Sequence, residues 1–173
     1  QNSVKFRMRS DVPVGSCLSG GLDSSAIVCL NRRILGTGAE YHTFTGQFPG
    51  SPADESEFAD IVVKSENVTP HLVEPTAEGF AKDLADFIWF NELPVGSSSQ
   101  YAQWCVFKLA KQNNVTVLLD GQGADEIMGG YEQYFSPYLK ARAQIISTGD
   151  VAAEKVTIEA RYPAALSAGN DTW

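Results

Sequence analysis

The sequence predicts a doubly wound α/β domain, a parallel sheet with helices on both faces, that runs into a helical C-terminal tail. Three observations carry this. Short runs of β-branched, aromatic and apolar residues alternate with segments of helical period, and such alternation supplies the long right-handed crossovers that parallel neighbours need. Two glycine-rich segments, Ser19–Ser25 and Asp120–Tyr131, each follow an apolar run directly, as loops at the carboxyl edge of a parallel sheet do. Finally, 173 residues, 43% of them hydrophobic, suffice for one ordinary core.

Val12–Ser19 is short and mostly apolar and ends in Gly20-Gly21, which reads as a strand and its turn. Ser24–Leu35 then places Ile27, Val28, Leu30, Ile34 and Leu35 at helical spacing. Tyr41–Phe48 is a second strand by its β-branched and aromatic content, and the loop after it starts a helix near Asp54 that runs toward Lys64. Val68–Glu74 is a third strand; Pro70 restricts it to a sheet edge or a strand start, because proline cannot donate to a ladder. Thr76–Asn91 and Gln100–Gln112 are helical in period, with the loop Leu93–Ser99 between them. Val115–Leu119 has the length and apolarity of a buried parallel strand. Beyond Tyr131 the chain turns helical and more polar, with a helix start at Pro137, a break at Ser147–Asp150 and a low-hydrophobicity end at Pro163–Trp173. Residues 4–135 thus read as one domain and 136–173 as the start of a helical extension. His42 and His71, too few and scattered for a metal set, read as core or edge residues, and Trp89, Trp104 and the phenylalanines as mostly core.

Thirteen Lys and Arg against 21 Asp and Glu give a formal charge of −8, so no global basic field exists to hold nucleic acid. No apolar run approaches the roughly 20 residues that cross a bilayer as a helix, and no charged-then-apolar leader opens the chain. Cys17, Cys29 and Cys105 are odd in number and set in apolar runs, which reads as buried free thiols in a reducing, cytoplasmic setting. The Asn-x-Thr sequons at Asn67, Asn114 and Asn170 are accordingly not expected to carry glycans.

Ser19-Gly20-Gly21-Leu22-Asp23-Ser24-Ser25 spans a strand end and a helix start. The first turn of a helix carries unpaired N–H groups and partial positive charge, and the glycines let the backbone approach a phosphate chain. Ser19, Ser24 and Ser25 add hydroxyls. Asp23 would repel phosphates unless a cation such as Mg²⁺ lay between, so it reads as a metal ligand. A capping residue beside a tight turn explains each position singly, but not seven residues holding two glycines, three hydroxyls and an acid. Asp120-Gly121-Gln122-Gly123-Ala124-Asp125-Glu126 follows the last apolar strand, which puts Asp125 on the same sheet edge, in place to share a cation with Asp23. Glu126 reads equally well as a first-turn acid favoured by the helix dipole. Pro94–Tyr101 either lines an acid-substrate pocket or is a capped loop.

Ser10–Ile27 (SDVPVGSCLSGGLDSSAI) resembles the pyrophosphate-binding loop of the N-type ATP pyrophosphatases, and its lead-in Ser10–Gly15 resembles the asparagine synthetase family in particular. GQGADEIMGGY, residues 121–131, is similar to that family's second signature, and the resemblance covers roughly Val4–Phe135. It implies an adenine nucleotide alpha hydrolase-like fold and an ATP- and Mg²⁺-dependent synthetase that converts aspartate and ammonia to asparagine through β-aspartyl-AMP, releasing pyrophosphate. It implies Leu18 at the adenosine, Ser19, Gly20, Gly21, Ser24 and Ser25 at the phosphates, Asp23 and Asp125 at Mg²⁺, and Gly121 near the ribose or α-phosphate. Gln122 stands where many members carry a glutamate with a proton-transfer role, and Asp120 where a serine is common; an amide cannot be a general base, so these departures bear on the acceptor. The resemblance further implies an N-terminal glutaminase domain that supplies ammonia, and a later helical region with a lysine at the reaction centre. Neither lies within these residues, so the reading expects a part that binds nucleotide without completing turnover. A homodimer is among the assemblies the resemblance allows. An amide- or lactam-forming relative with another acid, and a nucleotide-binding regulatory module without turnover, are the alternatives.

Overall fold

The computed structural model describes residues 2–52, 54–144 and 148–162. The chain divides into two compact units, Gln1–Gly121 and Gln122–Trp173. The first contains α1 (Asn2–Arg7), β1 (Val14–Cys17), α2 (Leu22–Leu35), β2 (His42–Gly46), α3 (Ser56–Glu66), β3 (Thr69–Val73), α4 (Ala77–Asn91), α5 (Ser98–Gln112) and β4 (Val117–Leu119). The four strands are parallel in the order β3-β2-β1-β4. From β1 the chain winds outward through β2 to β3, then returns to the other side of β1 for β4. The order therefore reverses at β1, and the crevice between the carboxyl ends of β1 and β4 is the topological switch point where sheets of this class bind ligands. Pro70 lies in β3 at the sheet edge, the place its missing N–H permits.

Helices cover both faces, as expected. On one, α2 and α3 bury Leu18, Val28, Tyr41, Ala59 and Val68; on the other, α5 buries Phe44, Val106, Ala110 and Val115. β1 lies tight against β2: a Cβ on Gly15 would stand 2.9 Å from the His42 carbonyl oxygen and 3.0 Å from the Phe44 ring. On the α2 side the sheet interior is polar. Asn31 Nδ2 donates to the Tyr41 hydroxyl, which is also hydrogen-bonded to Ser16 Oγ, while Asn31 Oδ1 is buried without a hydrogen-bond partner among the described residues.

Several expectations need adjustment. The helical starts at α2 and α5 come two residues earlier than the apolar spacing suggests: α2 opens with an exposed Leu22 and α5 with exposed serines, neither on a buried stripe. Trp89 is not core: it is 77% exposed, since α4 turns Phe87 inward against Tyr101 and Trp104 and Trp89, two residues on, lies off that stripe. α1 was not foreseen.

His42 Nδ1 and His71 Nε2 lie 2.9 Å apart across β2 and β3, and His71 stacks on Phe44 with centroids 4.8 Å apart. Burial, and next the neighbouring His42, hold the His71 pKa below its ordinary value, against the opposing pull of Glu40. A base with a depressed folded-state pKa leaves stability intact above the unfolded pKa, near 6.5, and loses it as pH falls from there through the folded value. The denaturation midpoint is therefore expected to drop between pH 7.5 and pH 5.5, and His71→Gln to flatten that part of the profile. An unchanged slope in the variant would show that the pair contributes nothing to it.

The second unit holds α6 (Ala124–Met128), a 3₁₀ turn (Glu132–Tyr134), α7 (Phe135–Arg142) and α8 (Thr148–Arg161). α7 starts at Phe135, two residues ahead of the expected Pro137, which its first turn tolerates because N–H groups there have no intrahelical partner. Thr148-Gly149-Asp150, expected within a break, forms the first turn of α8, with Asp150 at its positive end. Arg142 and Glu154 pair at 2.9 Å between α7 and α8. The expected terminal stretch 163–173 lies outside the described residues. Among the described residues no helix is long and apolar enough to cross a membrane.

Candidate active site

β1 runs straight into the first glycine-rich loop. Leu18 N–H donates to the Phe44 carbonyl at 2.9 Å, and its own carbonyl accepts from Thr45 Oγ1 at 2.6 Å. The Leu18 side chain is 1% exposed and belongs to the core. The resemblance assigns Leu18 to the adenosine; its side chain packs beneath the loop, because the inward alternation of β1 carries one residue past the strand.

The loop turns at Gly20, whose φ of +98° suits glycine, and a Cβ there would reach within 2.5 Å of the Glu55 carbonyl oxygen. Hydroxyls brace it from inside. Ser24 Oγ accepts from Ser19 N–H and donates to the Gly21 carbonyl, both at 3.2 Å, and stands 3.0 Å from Ser19 Oγ, which accepts from Gly21 N–H at 3.2 Å. Ser24 is only 6% exposed, so its hydroxyl shapes the loop, whereas Ser19 is exposed and Ser25 half-buried. The first intrahelical bond of α2 runs from Ser25 N–H to the Gly21 carbonyl at 3.1 Å. The N–H groups of Leu22, Asp23 and Ser24 precede it, and Gly21 provides no side-chain cap. α4 and α5, by contrast, are capped by Thr76 and Ser97. The start of this 14-residue helix, reached through a glycine loop at the switch point, thus presents N–H groups without a side-chain cap, the kind of group that anions bind.

Asp23 lies in that same turn and makes no ion pair with another described residue. Gly121, just past β4, packs directly on it: a Cβ at Gly121 would stand 3.0 Å from Asp23 Cβ and 3.1 Å from Ser24 N. Only glycine lets the β4 end come this close to the start of α2. Among the described residues no group of three His, Cys, Asp or Glu side chains gathers around a potential metal.

Asp120, at the mouth of β4, is held by Gln103 of α5, whose Nε2 donates to Oδ2 at 3.0 Å. Burial, and then the Asp120 charge, push the Cys17 thiol far above its ordinary range, so it stays a protonated filler at the end of β1. Sequence reasoning missed Gln103; its only signal was an amide on the helix preceding an aspartate where serine is common.

In the second unit Gln122 is exposed. Gly123 and Gly129 bound α6 in left-handed conformations, and Gly130 N–H donates to the Asp125 carbonyl at 3.0 Å. The Asp125 carboxylate lies over Gly130, where any Cβ would collide with it. The Gly129-Gly130 pair thus both ends the helix and makes room for the carboxylate. Glu126 accepts from the Tyr131 hydroxyl at 2.9 Å.

A parallel, doubly wound sheet with a glycine–serine loop and an uncapped helix start at its switch point defines an α/β domain of nucleotide-binding type. The chain belongs to the asparagine synthase family, whose model, described as Asparagine synthase, matches residues 1–169. It is 37% identical over 137 residues to a protein of Methanocaldococcus jannaschii named as a glutamine-hydrolysing asparagine synthetase, covering 79% of this chain and 26% of that one. Glutamine-hydrolysing asparagine synthetase 1 of Bacillus subtilis is 35% identical over 136 residues, covering 79% and 21%. Amidase chyE of Penicillium rubens is 29% identical over 160 residues, covering 86% and 23%. The chain thus spans about a quarter of the length of these relatives.

Proposed function

We propose that this chain is the adenylating part of an ATP-dependent amide-forming ligase. The observation that carries the reading is the uncapped start of α2, with the unpaired Asp23 carboxylate in the turn that offers its N–H groups to an anion. The phosphates of ATP lie on the N–H groups of Leu22, Asp23 and Ser24 and the hydroxyls of Ser19 and Ser25, with Gly20 and Gly21 giving them room. Asp23 and, by the family resemblance, Asp125 would hold Mg²⁺, which would offset phosphate charge. Gly121 admits the ribose or α-phosphate to the crevice. A substrate carboxylate oxygen bonds to the α-phosphorus as the bond to pyrophosphate breaks. Ammonia then attacks the acyl carbon and AMP leaves with the oxygen. Gln122, an amide, supplies no base, so the ammonia proton passes to AMP or solvent. Positioning and charge neutralisation supply the rate.

Aspartate is the acceptor that the relatives' names suggest, with β-aspartyl-AMP as intermediate and ammonia drawn from glutamine in the whole protein. The test is pyrophosphate release by the full-length protein with ATP and ammonium, with and without an acid. Acid-dependent release is expected; intact ATP binding with no release for any acid would leave a regulatory nucleotide module.

A further inference from the structure

Gly20 and Gly21 give the loop between β1 and α2 wide backbone freedom. A loop free to wander must be ordered before its N–H groups can meet a phosphate, and the cost of that ordering weakens binding. Here the loop is held from outside, by β2. Leu18 N–H donates to the Phe44 carbonyl at 2.9 Å. The next peptide unit, joining Leu18 to Ser19, is bonded at both ends: its carbonyl accepts from Thr45 Oγ1 at 2.6 Å, and its N–H donates to Ser24 Oγ at 3.2 Å. The unit is planar, so fixing its carbonyl also fixes the direction of its N–H. Ser24 Oγ in turn donates to the Gly21 carbonyl at 3.2 Å, and by the same planarity this sets the direction of the Leu22 N–H, the first of α2. A chain of hydrogen bonds thus runs from Thr45 through the loop to the helix start.

Thr43 provides the contrast within the same strand. It stands two residues before Thr45 and therefore on the same face of β2. Both threonines are buried, yet Thr43 Oγ1 has no hydrogen-bond partner among the described residues. The bond to the loop is what distinguishes the Thr45 hydroxyl.

We propose that Thr45 is a positioning residue for the phosphate chain of ATP, its hydroxyl holding the glycine loop in binding shape before the nucleotide arrives. The inference rests on the adenylating reading above. Thr45 acts through the Leu18 carbonyl; valine at this position keeps the shape of the side chain and removes the donor.

The test is calorimetric titration of the full-length protein with ATP in the presence of Mg²⁺, under conditions where urea unfolding shows each variant folded. Thr45→Val is expected to bind about tenfold more weakly with the number of sites unchanged, the loss of one hydrogen bond that orders the loop. Thr45→Ser, which keeps the hydroxyl, is expected to bind within about twofold of the parent. Thr43→Val removes an equally buried hydroxyl that does not touch the loop and is expected to leave affinity unchanged. Inactive or misfolded protein would lower the number of sites and leave the affinity of the rest, so the two effects separate. Where Thr45→Val does not fold, Thr45→Cys carries the same test, because a thiol is a weak donor; its affinity is expected to fall below that of Thr45→Ser. A folded Thr45→Val or Thr45→Cys protein with the parent's affinity, or an equal loss in Thr43→Val, overturns the positioning role while the adenylating reading stands. A parent protein that binds no ATP overturns the adenylating reading, and the role of Thr45 with it.

Discussion

Asp23→Asn is expected to bind ATP more weakly than the parent by about 100-fold, about 2.7 kcal/mol, when Mg²⁺ is present, and more tightly when Mg²⁺ is absent. The opposite signs come from the position of one carboxylate. Asp23 is in the first turn of α2, where in the proposed reading the N–H groups of Leu22, Asp23 and Ser24 meet the phosphates. Without a cation, its charge faces the phosphates it would hold and opposes them; with Mg²⁺ between, the same charge becomes an anchor. The substitution keeps the shape of the turn against Gly121 and removes only the charge. Its effect on folding is limited to the dipole interaction of an acid in a first turn, about 0.3–1 kcal/mol. Calorimetric titration of the chain with ATP, with and without Mg²⁺ and with GTP as control, reads both signs. Equal Mg²⁺-ATP affinity in the two proteins would remove Asp23 from the metal.

What makes that site readable from the chain alone is that its parts are contiguous. Gly20, Gly21 and Asp23 sit within four residues of one another, and the apolar runs before Ser19 and Asp120 put both loops at strand ends. Pro70 likewise announced an edge strand. Contacts between distant segments left no such trace. The His42–His71 pair depends on the register of β2 and β3, which places His71 opposite Phe44. The grip of Gln103 on Asp120 depends on how α5 lies on the sheet. The inward turn of Leu18 depends on one residue of strand alternation, and a one-residue slip exchanges the faces. The short α1 and α6 carry too few periods for hydrophobic spacing to reveal them. Gly130 was legible as a helix stop, but its second role, clearing space for the Asp125 carboxylate, needed coordinates.

Arg32 is the most consequential residue that spacing alone passes over. It stands in the last turn of α2, on the stripe of Ser24 and Val28 where an apolar residue would be ordinary, yet it is 7% exposed. Its guanidinium gathers the carboxyl ends of two helices. Nη1 donates to the carbonyls of Gly36 at 3.2 Å and Ala39 at 2.6 Å, beyond α2, while Nε donates to Glu66 at 2.8 Å and Nη2 to Asn67, at the end of α3. The partial negative charge of both helix ends favours a cation there, and a planar fork can serve carbonyls on two sides at once. Arg32→Met keeps the length of the side chain and leaves four carbonyls without their donor. The expected loss is about 3–5 kcal/mol, the range for uncovering partners of a buried charge, set against a total stability of about 5–15 kcal/mol. The urea midpoint should fall accordingly with the slope unchanged. Arg32→Lys should lie between, since one ammonium cannot span α2 and α3 together. A methionine variant as stable as the parent would show that water replaces the guanidinium at no cost, and that the two helices are joined only by the apolar cluster of Val28, Ala59 and Val68.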